Sequence, residues 1–289
     1  MTPSRWSDLD RPPLNAAALR RAVVTPGGLW TALDVVDATG STNADLAARA
    51  ARGAPEGAVL VAEEQTAGRG RLDRRWTAPA RSGLFFSVLL RPGAAAADGA
   101  APVPAERWGW LPLLAGVAVA TALSRVGGVD TALKWPNDLL VTVDGGERKA
   151  GGILAERSGA DAVVVGIGVN VSLRADELPV PTAASLALAG AAGTDRDPLL
   201  RAVLRSFADW YGAWRAADGD PAASRLQQTY AAGCATLGRE VRAELPGGAE
   251  LVGTAVAVDG DGRIVVAPSD GAAERALASG DIIHLTATG

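Results

Sequence analysis

Five basic side chains set the chemistry open to this chain. Arg69, Arg71, Arg74 and Arg75 crowd the stretch Gln65-Thr66-Ala67-Gly68-Arg69-Gly70-Arg71-Leu72-Asp73-Arg74-Arg75-Trp76, and Lys134 opens Lys134-Trp135-Pro136-Asn137-Asp138. In the first stretch four arginines stand against one aspartate, in a chain of net charge −4. Glycines alternate with arginines from Gly68 to Arg71, so the backbone can come close to a ligand while guanidinium forks reach past it. Such a loop suits carboxylate or phosphate oxygens; taken alone, it equally suits a solvated surface loop. A carboxylate, with a pKa of about 4, is ionised at neutral pH and can attack phosphorus without a general base. That reaction needs positioning and positive charge more than acid–base groups. Lys134, Arg69 and Arg71 can neutralise the two repelling anions, a carboxylate and an α-phosphate, which points to carboxylate activation by a nucleotide.

Other chemistries are short of parts. The chain has one histidine, His284, and one cysteine, Cys234, so a Cys/His metal cluster cannot be assembled and no metal-ligating residue is assigned. A lone histidine in an apolar run is usually structural, which disfavours a catalytic triad. No Gly-x-x-x-x-Gly-Lys-Ser/Thr occurs, and Gly68-Arg69-Gly70-Arg71-Leu72-Asp73 lacks the third glycine of a dinucleotide loop. The negative total charge argues against a general nucleic-acid binder. A single cysteine fits a reducing compartment. No apolar run reaches the roughly 18 residues that span a membrane, and the charged first residues lack the apolar core of a signal peptide. The expectation is a cytoplasmic protein without nucleic-acid or membrane partners.

With 289 residues, 48% of them hydrophobic, there is room for one large domain and a small one. Residues 1–33 read as an N-terminal extension with a short helix at 14–23, too little for a helix-turn-helix domain. Residues 34–232 read as the main domain. A strand at 32–37 leads to Ser41, Thr42 and Asn43, which cap a helix over 43–52; they are also small hydrogen-bonding groups at a helix N-terminus, where a polar ligand group can sit. Strands follow at 57–64 and 84–91, with the arginine loop between them. A flexible loop at 92–104 precedes one long buried helix at 106–126, with Trp108 and Trp110 in the core. Strands at 131–135 and 139–143 meet the turn Asp144-Gly145-Gly146. The strands at 149–157 and 162–171 carry Gly151, Gly152, Gly166 and Gly168 together with Asn170, and glycine inside a strand marks close approach of a ligand or another backbone. Helices at 199–217 and 221–232 follow an irregular connection. Residues 233–289 then turn to five short strands with tight turns, the pattern of a small barrel.

Gly68-Arg69-Gly70-Arg71 with Trp76, Lys134-Trp135-Pro136-Asn137-Asp138, Gly151-Gly152-Ile153-Leu154-Ala155-Glu156 and Gly166-Ile167-Gly168-Val169-Asn170, preceded by Ser41-Thr42-Asn43, resemble the successive signatures of the biotin protein ligases. The order and spacing agree over about 35–171, and the last domain resembles that family's SH3-like barrel. The resemblance implies an α+β fold, with a mixed-sheet catalytic domain of the biotin/lipoate ligase type and a small C-terminal SH3-like β-barrel. It implies biotin and ATP as substrates, with Mg²⁺ accompanying the ATP, and a biotin carrier domain of a carboxylase as protein partner. A homodimer is left open.

By the same resemblance, Ser41, Thr42, Asn43 and Gln65 hydrogen-bond the biotin head, and Arg69, Gly70 and Arg71 wrap the chain and the adenylate phosphate. Lys134 bridges carboxylate and α-phosphate and, with Arg71, carries the catalytic role. Gly152 lines the biotin pocket; Gly68, Arg74, Trp76, Asn137, Gly168 and Asn170 complete the adenylate side. Asp73 stands where the family commonly has glycine, and could pair with Arg74 or Arg75. The DNA-binding domain of the repressor-type ligases has no counterpart in the N-terminal residues, which resembles the ligase-only branch. The competing readings are a lipoate-type protein ligase and a non-enzymatic nucleic-acid-binding regulator. The loop, glycine-rich and self-repelling, is expected to be mobile when empty and to order around anions.

Overall fold

Apolar residues on both faces make the centre of the main sheet, and glycines thin it on one flank, where the site lies. The computed structural model describes residues 10–72, 74–95, 99–245, 249–278 and 280–285. Its elements begin with α1 (Ala16–Val23), β1 (Ala32–Val36), α2 (Thr42–Ala51), β2 (Ala58–Ala62), β3 (Gly68–Arg69), β4 (Arg75–Trp76), β5 (Gly83–Leu90) and α3 (Trp110–Ala122). They continue through β6 (Thr131–Lys134), β7 (Asp138–Val143), β8 (Gly146–Ser158), β9 (Ala162–Asn170), α4 (Arg196–Ala216) and α5 (Leu226–Gly233). Seven strands form one sheet in the order β1-β2-β5-β9-β8-β7-β6. β1 and β2 run parallel, and the remaining neighbours are antiparallel.

Every residue of β2 and β5 is buried, as a strand covered on both faces requires. On one face α2 packs Leu46 and Ala50 against Leu60, Leu89 and Val164. The other face lies under α3 and α4, whose Leu113, Val117, Val203 and Phe207 belong to the large core cluster. The stretch Ala105–Gly127 has the length and apolarity to cross a membrane, but most of it is buried as this core. α1 adds Leu19 and Val23 to the same cluster, with Asn15 Oδ1 accepting from Ala18 N at 3.0 Å as its cap.

The C-terminal unit is a five-stranded antiparallel sheet of β10 (Glu240–Glu244), β11 (Glu250–Val258), β12 (Ile264–Pro268), β13 (Arg275–Leu277) and β14 (Asp281–His284), ordered β13-β12-β11-β10-β14. It docks beside the site largely through backbone groups. Trp135 Nε1 donates to Gly262 O at 3.0 Å, while Trp110 Nε1 and Arg107 Nη1 donate to Gly260 O at 3.0 and 2.9 Å. Thr236 Oγ1 accepts from Trp135 N at 3.1 Å, and Arg239 makes a two-pronged pair with Glu147 at 2.8 and 2.6 Å.

Several sequence expectations shift. The arginine stretch contains a short hairpin, β3 with β4, because Gly68 can pair directly against Trp76. The single helix expected over 106–126 is a 3₁₀ turn at Ala105–Gly109, then α3, then one π turn at Leu123–Gly127 that ends on left-handed Gly128. Residues 221–225 are turn rather than helix, since Arg225 is left-handed at φ 62° and Asp220 accepts from Ala222 N and Ala223 N. α4 starts earlier than expected, with Asp195 as its cap. The turn after β7 has φ of 51° and 75° at Asp144 and Gly145, a two-residue hairpin connection.

His284, the sole histidine, lies in the seam between the two sheets, with Thr236 Oγ1 3.1 Å from Nε2 and Arg239 Nη1 3.3 Å from Nδ1. Burial first, then the nearby charges of Lys134 and Arg239, lower its pKa to about 4, opposed by Glu147. The unfolded chain, titrating near 6.5, therefore binds this proton more readily than the folded one. Stability should fall as pH drops from about 6.5 to about 4, where both states become protonated. His284→Gln should flatten this part of the profile in urea unfolding; an unchanged slope would remove His284 as its source.

Candidate functional site

The N-terminus of α2, the loop between β2 and β5, and the glycine-bearing strands β8 and β9 meet on one face of the main sheet. Ser41 caps α2, its Oγ accepting from Ala44 N at 3.5 Å. Thr42 donates from both N and Oγ1 to Gln65 Oε1, at 2.9 and 3.1 Å. Ser87 Oγ on β5 donates to Asn43 Oδ1 at 2.6 Å and lies 2.7 Å from Thr42 Oγ1. Asn43 Nδ2 donates to Leu154 O at 3.1 Å and to Glu156 Oε2 at 2.7 Å. The same Glu156 oxygen accepts from Arg69 Nη2 at 3.2 Å. One polar chain thus runs from Gln65 to the first loop arginine, with Ser41, Thr42, Asn43 and Ser87 all buried. Buried polar groups are retained at tolerable cost when they are mutually satisfied, and such networks hold geometry.

The strand glycines explain how side chains come to lie directly on this face. A Cβ on Gly166 would lie 2.2 Å from Asn43 Oδ1, and one on Gly168 would lie 2.9 Å from Trp76 Cε2. At Gly152 it would meet Trp76 Cζ3 at 3.2 Å and Lys149 Nζ at 3.5 Å. What approaches these bare strands is the side chains of Trp76, Asn43 and Lys149. The Trp76 indole lies over Gly152 and Gly168, and its Nε1 is buried with no hydrogen-bond partner among the described residues. Gly68 is needed where β3 meets β4, since its Cβ would stand 2.5 Å from Trp76 O.

Lys149 reaches this face because of a β-bulge. The β7–β8 register pairs Leu139 with Gly151 but Leu140 with Lys149, leaving Ala150 as the extra residue. Strict alternation would put Lys149 and Gly152 on opposite faces; the bulge brings them to the same one. There Lys149 Nζ holds Asp138 Oδ1 at 2.5 Å. Its backbone N also donates to Thr182 O and its backbone O accepts from Ala184 N, and Asn170 Nδ2 supports that segment by donating to Ala184 O at 2.9 Å.

The loop cations differ in how well they are paired. Arg69 has Glu156 and Arg74 has Asp281 of the C-terminal sheet. Among the described residues Arg71 has only Asn137 Oδ1, at 3.4 Å, and neither Arg71 nor Lys134 makes an ion pair. Burial lowers the Arg71 pKa, opposed by Asp138 and reinforced by Arg74. Burial also lowers that of Lys134, with Asp138 and Glu147 opposing and Lys149 and Arg74 adding to it. Two cations stripped of water without a matching carboxylate make a site that gains from receiving an anion. Next to them a cavity of about 630 Å³ opens between Arg69-Gly70-Arg71-Leu72, the start of α3, Trp135-Pro136-Asn137, the strand run 153–156 and Asp261-Gly262-Arg263.

The description "Biotin/lipoate A/B protein ligase family" matches residues 36–170, and "Biotin protein ligase C terminal domain" matches 236–285. Across 279 residues the chain is 42% identical to the biotin--[acetyl-CoA-carboxylase] ligase of Mycobacterium tuberculosis, covering 95% of this chain and 97% of that protein. The chain belongs to the biotin protein ligase family. Within that family it is 32% identical to the bifunctional ligase/repressor BirA of Bacillus spizizenii over 82% of this chain and 69% of that protein. The biotin protein ligase from Aquifex aeolicus in complex with biotin and ATP superposes with a TM-score of 0.69 at 27% identity, covering 88% of this chain and 98% of that one.

Of the residues that family resemblance singled out, Arg69, Gly70, Arg71 and Asn137 line the cavity. Ser41, Thr42, Asn43 and Gln65 form the buried polar chain, while Gly152 and Gly168 lie beneath Trp76. Arg74 is engaged by the C-terminal sheet, and Asn170 by the segment beside Lys149. Lys134 sits across from Asp138 at the β6–β7 turn. Asp73 lies outside the described residues. No role was expected for Ser87, Glu156 or Lys149. Glu156 closes the glycine signature and Lys149 precedes it, but strand alternation hides the face on which Lys149 emerges.

Gly166→Ala should cost about 1–3 kcal/mol, because the methyl group must displace Asn43 or the strand. Gly212→Ala, on the exposed side of α4 with nothing within 4 Å, should instead gain about 0.5–1 kcal/mol. Urea denaturation of both variants checks the pair; a Gly166→Ala protein as stable as its parent would show that Asn43 does not need the bare backbone.

Proposed function

We propose that this chain is an ATP-dependent ligase that activates biotin as biotinyl-5′-AMP and transfers the biotinyl group to a lysine of a biotin carrier domain. The observation that carries the reading is the pair of half-buried cations, Arg71 and Lys134, unpaired among the described residues, beside a glycine floor and a polar chain at a helix N-terminus. The Mycobacterium tuberculosis relative and the Aquifex aeolicus structure support it through their names and ligands.

In the first half-reaction a biotin carboxylate oxygen attacks the α-phosphorus of ATP. The bond to the β-phosphate's bridging oxygen breaks, and pyrophosphate leaves with the electron pair. Both reactants are anionic, so the work of the protein is to hold them together. Arg69 and Arg71 reach the acyl-phosphate region from the loop; Lys149 and Lys134 flank Asp138 from below, and Asp138 helps keep Lys134 protonated. The sequence reading gave the bridging role to Lys134. Lys149, whose ammonium lies against Gly152, is the nearer cation to the floor and shares it. Ser41 and the Thr42–Gln65 pair face the uncharged ring head, with Asn43 holding the network in place, and Gly68, Gly70, Trp76, Gly168 and Asn170 shape the adenylate side. In the second half-reaction the neutral acceptor amine attacks the acyl carbon, AMP departs with the acyl–oxygen electrons, and a proton is released as the amide forms.

Mg²⁺ would enter with ATP, held chiefly by phosphate oxygens. Among the described residues no group of three His, Cys, Asp or Glu side chains could cage it, which fits the sparing use of protein carboxylates by this ion. The ion would supply charge neutralisation.

Incubation with ATP, biotin and a biotin carrier domain should give covalently biotinylated carrier. Labelling with lipoate and none with biotin would overturn the proposal. Lys134→Ala should slow adenylate formation by about 10²–10³-fold, the usual scale for removing one electrostatic contact to a transition state, and Lys149→Ala, whose ammonium is already paired with Asp138, should slow it less. Wild-type rates in Lys149→Ala would remove that residue from the reaction. Arg71→Gly should release the adenylate and label bystander lysines, and tight retention would reject its role.

A further inference from the structure

A second buried cluster, on no face of the site, ties the ends of the arginine loop to the N-terminal segment. Glu63 follows β2 and is 3% exposed; Arg196 opens α4 and is 5% exposed. Arg196 Nη1 pairs with Glu63 Oε2 at 2.6 Å and also donates to Gly83 O, the first residue of β5, at 3.2 Å. Its Nη2 donates to Pro12 O at 2.7 Å, and Leu14 N donates to Glu63 Oε1 at 2.6 Å. The Glu63 backbone closes the arrangement, donating to Val36 O at 2.9 Å and accepting from Arg81 N at 2.8 Å. Arg11 extends the same tie by donating to Ser172 O at 2.9 Å, while Ser82 O accepts from Ser172 N at 2.8 Å.

An ion pair this buried forfeits hydration worth several kcal/mol per ion, and stays favourable only when its remaining hydrogen-bond positions are filled. Here they are filled by the chain entering the loop at Glu63, the chain leaving it at Arg81 and Gly83, and the N-terminal backbone at Pro12 and Leu14. None of these groups contacts the cavity. What the pair determines is the distance between the two ends of the loop that carries Arg69, Arg71 and Arg74. A loop with both ends fixed on one rigid point can move its interior while its guanidiniums return to the same place.

We propose that Glu63 and Arg196, together with the N-terminal residues Arg11 to Leu14, are positioning residues for the arginine loop, so that the N-terminal segment is a working part of the site. The kinetic half of this proposal rests on the ligase reading; the exchange half does not. Arg196→Met alone would strand a buried carboxylate and endanger folding, so the test is Glu63→Gln/Arg196→Met, in which both charges go and packing volume is kept. Thermal unfolding and amide exchange in β8 and β9 serve as controls for a folded protein. Amides of 66–72 and 74–80 should exchange about tenfold faster in the double variant, and KM for biotin and ATP should rise about tenfold with kcat held within about twofold. Arg196→Lys, which keeps the charge but not the fork that reaches three partners, should fall between. Removal of residues 1–15 should reproduce the exchange result. A folded double variant with wild-type exchange and wild-type KM would overturn the proposal. Raised loop exchange in a protein whose parent transfers no biotin would sink the ligase reading and leave the clamp standing.

Discussion

Positive charge without its counter-charge is the constraint on which the site depends. Arg71 and Lys134 are held partly out of water, each within the field of Asp138 but bridged to no carboxylate among the described residues. Desolvating a cation is costly, and the fold bears that cost only because neighbouring groups hold the two side chains where they are. Asn137 reaches Arg71 with its oxygen while donating its amide to Ile153 O at 2.9 Å. Lys149 occupies Asp138 directly, leaving Lys134 with a field and no partner. An anion entering this corner improves the energy of the protein as well as its own, which is how a site can bind two reactants that repel each other.

The rest of the main domain serves that corner by precision of a mostly apolar kind. Two strands buried on both faces fix the sheet's centre, and α3 with α4 covers one side. Glycines on β8 and β9 then let Asn43 and Trp76 lie closer to the backbone than any side chain would allow. The bulge at Ala150 is the smallest of these devices and has a large effect, since one unpaired residue moves a lysine from one face of the sheet to the other. The polar chain from Gln65 to Glu156 has members that satisfy each other and so keep their positions.

Much of this could be read from residue types. The alternation of glycine and arginine, the lysine before Trp135, and the strand glycines all bear on one region, and together with Ser41-Thr42-Asn43 they pointed to the family and to Arg69, Gly70, Arg71 and Asn137 in the cavity wall. The β7–β8 hairpin followed from the turn signal Asp144-Gly145-Gly146. What escaped was whatever depended on an irregularity. Lys149 was hidden because period-two alternation is broken between it and Gly152. Ser87 looked like one polar residue in an apolar strand, and only its contact with Asn43 shows its use. The β3–β4 hairpin was masked by its charge, and the break-up of the long helix by an unbroken apolar pattern. Glu63 and Arg196 stand 133 residues apart, bonded at 2.6 Å, and no local pattern connects them.

The seam with the C-terminal sheet bears on modularity. Trp135, Trp110 and Arg107 all dock on carbonyl oxygens of Gly260 and Gly262, so the main domain recognises the path of that turn and is blind to most of its side chains. Gly262, at φ 82° with Gly109 O 3.0 Å from its Cβ position, is where path and residue type coincide. A C-terminal unit taken from another protein could therefore differ widely in sequence and still seat, provided that its turn traced the same curve; one residue longer or shorter, and three anchors would be lost together.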